Sequence, residues 1–230
     1  HGDGGEARRN AAIRALAERV AHAVDLPVEW AVLKEPGSFA AARERLGPAA
    51  ARPAVWPFFM SDGFFVREKL PRALAEAGFG DWAKLEPFGT DPRVVDLLEH
   101  RLREIASLQG GRQPAEFRIL LVAHGSGSGE PASRLRAEAV AAELSWRGLG
   151  RIHLGFIEEP PFVDDAMEDC DPQIVIGFFA QEGTHALDDV ATLVAERPAI
   201  LHHVAAIGAD LAVARMVADA VEDCISRESA

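Results

Sequence analysis

A chain of 230 residues is long enough to bury one large or two modest α/β cores. Its net charge of −12 argues against nucleic acid or an anionic membrane surface as the main partner. No apolar run approaches the roughly 18 residues of a membrane span. Cys170 and Cys224 are far apart and in no metal-like spacing, and no signal-peptide pattern is present. The simplest reading is a cytoplasmic protein with two free thiols.

In chain order, Ile13, Leu16, Val20 and Val24 fall at helical spacing and predict a helix over 7–24. A strand is expected over 28–33, a short helix over 39–46 and a strand over 54–60. A helix over 64–77, a short strand over 82–87 and a helix over 91–108 follow, the last with Thr90 as its cap and Pro92 in its first turn. The polar, glycine-rich stretch 109–114 reads as a linker, which divides the chain into 1–109 and 110–230.

Beyond the linker the order begins again. Ile119 to Ala123 form a run of apolar residues that ends in His124 and then breaks into glycine and serine. Such a run reads as a buried strand of a parallel sheet. A helix over 131–147, a strand over 152–157, a short helix over 162–168 and a strand over 174–179 come next. A helix over 185–195, a strand over 199–206 and a helix over 210–224 complete the pattern.

Landmarks repeat as well as elements. His1-Gly2-Asp3-Gly4 lines up with His124-Gly125-Ser126-Gly127, and Glu35-Pro36 with Glu159-Pro160. Phe58 to Gly63 line up with Phe178 to Gly183, and Gly89-Thr90-Asp91 with Gly208-Ala209-Asp210. The repeat unit of about 115 residues has the size of a domain, so an internal duplication is expected. By the same register a strand is expected ahead of His1.

In parallel sheets ligands bind at the carboxyl ends of strands. His124 ends one strand, Glu158 and Glu159 end another, and His185 follows a third. Two imidazoles and a carboxylate on one rim suit a divalent transition metal with open coordination positions. They suit general-base work equally. The first half has Phe65 where His185 would fall, so its aromatic loop Phe58-Phe59-Met60-Ser61-Asp62-Gly63-Phe64-Phe65 lines a flat-ring pocket or belongs to the core.

The strand ending in His124-Gly125-Ser126, the strand ending in Glu before Pro160, and the run Phe178-Phe179-x-x-x-Gly183-x-His185-x-x-x-Asp189 resemble the class II chelatases. These are the sirohydrochlorin cobaltochelatases and ferrochelatases. The likeness covers nearly the whole chain as two tandem copies and is strongest over 117–190. It implies an α/β fold of two similar lobes, each a doubly wound parallel sheet flanked by helices, with one cleft between them for a tetrapyrrole. It also implies that His124, His185 and Glu159, or its neighbour Glu158, hold Co²⁺ or Fe²⁺ as substrate and take up the pyrrole protons. Asp189 would orient His185. No organic cofactor is implied, and a homodimer is left open. Thr184 stands where the family usually has a glycine.

A two-histidine, one-carboxylate set holds an ion loosely enough to release it into a ring. The eight carboxylates of sirohydrochlorin call for cations, for which Arg134, Arg136, Arg8 and Arg9 are candidates, although each also suits a solvated helix face. A rival reading is a non-catalytic carrier or sensor of metal or tetrapyrrole. A phosphate-binding loop at Gly125 to Gly129 lacks the lysine of a P-loop. His202 and His203 read as structural, and His22, His100 and His153 have no evident partner.

Overall fold

The computed structural model describes residues 10–126, 131–181 and 185–228, with the side chains of 185–188 and 228 outside the description. The elements are α1 (Ala11–Ala23), α2 (Ser38–Leu46), β1 (Ala54–Val55), α3 (Leu70–Glu76), β2 (Ala83–Lys84), α4 (Arg93–Leu108), β3 (Arg118–Ala123), α5 (Ala132–Trp146), β4 (Arg151–Phe156), α6 (Val163–Cys170), β5 (Ile174–Gly177), α7 (His185–Ala195), β6 (His202–Val204) and α8 (Val213–Glu228). They fall into two compact units, one of residues 1–88 with 210–230 and one of residues 89–209.

The second unit is built on a four-stranded parallel sheet in the order β4-β3-β5-β6. β3 occupies the inside because Ile119 to Ala123 are all buried, which only a strand covered on both faces requires. Side chains alternate, so Leu120 and Val122 join Val175 in a core with Val163, Ala166 and Met167 of α6 and Val190 of α7. Gly155 in β4 lets α6 approach: a Cβ there would lie 3.2 Å from Val163 Cα and 3.3 Å from Ala166 Cβ.

The first unit holds a two-stranded parallel sheet, with Ala54 opposite Ala83 and Val55 opposite Lys84. Leu70, Leu74, Phe79 and Ala50 form its core beside Phe39, Leu46, Val55 and Trp82. The strand expected over 28–33 is not formed. In the second unit the equivalent strand, β4, pairs only with β3, and the described residues of the first unit contain no counterpart of β3. The Val32 N–H instead donates to Ser38 Oγ at 3.0 Å. The helix expected over 64–77 forms in two parts, a π-helical turn at Phe65–Lys69 and then α3.

The units do not follow the 1–109 and 110–230 division drawn at the linker. Helix α4 belongs with the second unit, where Arg147 of α5 reaches Asp96 at 2.6 Å and Glu99 at 2.8 Å. Helix α8 belongs with the first unit, against α1. The two entry points are built alike. Asp91 Oδ1 accepts the Arg93 N–H at 2.9 Å, and Asp210 Oδ1 accepts the Ala212 N–H at 2.9 Å. Asp91 therefore holds the turn into α4 by a side-chain bond to the backbone.

Candidate functional site

The strands of the second sheet are parallel, so their carboxyl ends share one edge. In the order β4-β3-β5-β6 the winding reverses between β3 and β5, which is where a doubly wound sheet opens a crevice. His124 is the first residue past β3. Beyond β4 the hydrogen bonding continues: the Ile157 N–H donates to the Ala123 carbonyl at 3.1 Å and the Glu158 N–H to the His124 carbonyl at 2.9 Å. This places His124 and Glu158 side by side at the strand tips.

The His124 ring stands edge-on to buried Phe179, with centroids 5.0 Å apart and an interplanar angle of 77°. Its outer surface is open to solvent. The protein packed against its other side still disfavours the charged ring and holds its pKa below the ordinary 6.5, against a smaller opposing pull from the Glu158 carboxylate. A neutral imidazole is the form that coordinates a metal.

The sign of the linkage is that of a depressed histidine. As pH falls through about 6.5 the unfolded chain takes up this proton before the native one does. The fold therefore suffers no penalty from His124 above that pH and weakens progressively down to the lower native midpoint. An NMR titration of the His124 ring should give a midpoint below 6.5, and Glu158→Gln, which removes the opposing attraction, should lower it further. An unchanged midpoint in the variant would place the carboxylate away from the ring.

Glu159 turns elsewhere. Its Oε1 accepts the Ser126 N–H at 2.7 Å and its Oε2 accepts Arg134 Nε at 2.9 Å. Arg134 also donates to the Pro160 carbonyl, lies 4.4 Å over the Phe156 ring and pairs with Glu138 at 3.3 Å. Gly125, at φ +80°, makes room for this: a Cβ there would sit 2.8 Å from Glu159 Cγ. Among the described residues, Glu158, the other carboxylate expected at this tip, has no such tie to a cation. Arg134 is correspondingly committed within its own unit, whereas Arg136 donates to the Gly89 carbonyl and is partly desolvated.

His185 opens α7, the helix that follows the tip of β5, and its side chain lies outside the described residues. Asp189, expected to orient it, is exposed in the second turn of α7. The expectations resting on His1 to Gly4, Arg8, Arg9, Gly127 to Gly129 and Gly183-Thr184 also fall outside the described residues. Among the described residues no group of three His, Cys, Asp or Glu side chains is placed to hold a metal ion. His22 Nδ1 bonds the Glu18 carbonyl of its own helix, and His202 and His203 pair in register with Ile174 and Val175.

In the first unit the aromatic loop divides. Phe58 stacks on Trp56 at 5.3 Å and packs against fully buried Phe88. Phe64 and Phe65 face outward, 54% and 40% exposed, with Phe65 stacked on Phe59 at 6.2 Å and Lys69 Nζ 5.4 Å from the Phe64 centroid. Phe58 is half-buried at the edge of the core, and Phe64 and Phe65 are turned to the surface.

The sheet is doubly wound, with an imidazole at the strand tip beside its switch point and a carboxylate on the adjoining tip of β4, and it is at such strand tips that doubly wound sheets hold ligands. The CbiX family model matches residues 2–105. The solved structure of CbiX, described as the terminal enzyme for biosynthesis of siroheme in denitrifying bacteria, is 32% identical and covers 97% of this chain and 95% of its own, with a TM-score of 0.81. SirB from Bacillus subtilis with Fe³⁺ is 17% identical over 96% of this chain and 92% of its own, with a TM-score of 0.75. A probable sirohydrochlorin cobaltochelatase of Halobacterium salinarum is 27% identical over 167 residues, 59% of this chain. The match spans 54% of that relative's length. The chain belongs to the CbiX-like class II chelatases.

Proposed function

We propose that this protein inserts a divalent metal, Co²⁺ or Fe²⁺, into sirohydrochlorin or a closely related tetrapyrrole. The observation that carries the reading is the juxtaposition of His124 and Glu158 at adjoining strand tips in a member of this family. The relatives' names point to both metals, cobaltochelatase for one and Fe³⁺ for another. His124 and Glu158, with His185 from the start of α7, are the proposed donors. Imidazole and carboxylate ligands suit either ion and leave coordination positions for the incoming ring nitrogens.

Metal entry displaces two pyrrole protons. A neutral His124 can accept one and a carboxylate the other, so the same groups deliver the ion and receive the protons. Arg136 is the cation proposed for a substrate carboxylate, because Arg134 is already paired with Glu159 and Glu138. No organic cofactor enters the scheme.

The test is spectroscopic. Protein, sirohydrochlorin and Co²⁺ or Fe²⁺ are mixed, and the absorbance shift of the metallated ring is followed against the uncatalysed rate. Acceleration by either ion supports the proposal. Tight binding of the ring without acceleration would replace it with a carrier.

A further inference from the structure

The ion pair between Arg134 and Glu159 links three segments that the sequence keeps apart. Glu159 lies one residue beyond Glu158, at the tip of β4. Through Ser126 N–H it grips the turn that follows His124, and through Arg134 it grips the first turn of α5. The grip is close: the Glu159 carboxylate lies against the backbone of Gly125, where even a methyl group would collide with it. The Arg134 guanidinium is itself held over Phe156, the last residue of β4, and by the Pro160 carbonyl.

The first unit contains a counterpart. Asn10, at the start of α1, donates through Nδ2 to Glu35 Oε2 at 2.8 Å, with the same separation of 25 residues as Arg134 and Glu159. A tie from the first helix to the segment that follows 28–33, the sequence counterpart of β4, is thus present in the first unit as well. It is an amide-to-carboxylate hydrogen bond in the unit whose equivalent of His185 is Phe65, and an ion pair in the unit that carries His124.

We propose that Arg134 and Glu159 are positioning residues, whose ion pair holds the His124–Ser126 turn against the tip of β4 so that His124 and Glu158 present their donor atoms together. This rests on the proposed metal-handling role of His124. Glu159 then acts on the metal through its neighbours and not as a ligand. Groups that orient metal donors typically change affinity by roughly 10–100-fold when removed.

The experiment titrates Co²⁺ alone into the whole protein, by visible absorption, for the wild type and for Arg134→Gln, Glu159→Gln, the double variant, Arg134→Lys and His124→Ala. Thermal midpoints confirm that each is folded. Each glutamine variant should weaken Co²⁺ binding by roughly 10–100-fold, and the double variant should lose no more than the worse single, because both remove one pair. Arg134→Lys, which keeps the charge without the forked geometry, should recover part of the loss. Wild-type affinity in either folded glutamine variant would overturn the positioning role, as would additive losses in the double variant. Co²⁺ binding unaltered by His124→Ala would instead overturn the metal assignment, and the positioning role with it.

Discussion

Alanine at His124 or at His185 is expected to lower the rate of metal insertion by about a hundredfold or more, with the fold intact. A positioned proton acceptor contributes roughly 10²–10⁴-fold, and each of these residues is also a proposed donor to the ion. His124 lies past the last paired residue of β3 with its outer surface open to solvent, so truncation leaves no large cavity. Thermal midpoints should therefore move little while the absorbance change of tetrapyrrole metallation disappears. Glu158→Gln should show a smaller loss, since it keeps an oxygen donor and gives up only the charge. Full activity in both alanine variants would remove the site from this edge of the sheet.

The largest expected effect on stability comes from Gly177→Ala. A Cβ at Gly177 would fall on the Ala205 carbonyl and within 2.7 Å of Phe179 Cδ2. Gly208 is in the same position against the Ala180 carbonyl, so the ends of β5 and β6 interlock through two glycines and two backbone oxygens. Backbone cannot rotate away as a flexible side chain can. The variant should lose about 3 kcal/mol or more, the upper end of overpacking effects. At 2–4 °C per kcal/mol for a chain of this size, the thermal midpoint should fall by roughly 6–12 °C. Because Phe179 supports the His124 ring, Co²⁺ binding should weaken in any folded fraction. Urea denaturation matching the parent would show that these segments separate freely.

Much of this architecture was legible in the chain. The apolar run before His124 could only be a strand covered on both faces, and β3 is the inner strand so expected. The landmarks Gly89-Thr90-Asp91 and Gly208-Ala209-Asp210 anticipated two turns with the same Asp-to-backbone bond. The different settings of Glu158 and Glu159 were not legible. Adjacent carboxylates have the same chemistry, and only the location of Arg134, 25 residues away, separates them.

Local pattern, then, determined most of the elements and the strand tip on which His124 stands, because burial on one or two faces writes its period directly into the residues. Tertiary structure alone decided which helix belongs to which unit, why 28–33 forms no strand, and that Glu159 pairs with an arginine. Each of these depends on a partner distant in sequence: Arg147 for α4, a neighbouring strand for 28–33, and Arg134 for Glu159. Pairings across such distances obey no period, so they become visible only when the chain has folded.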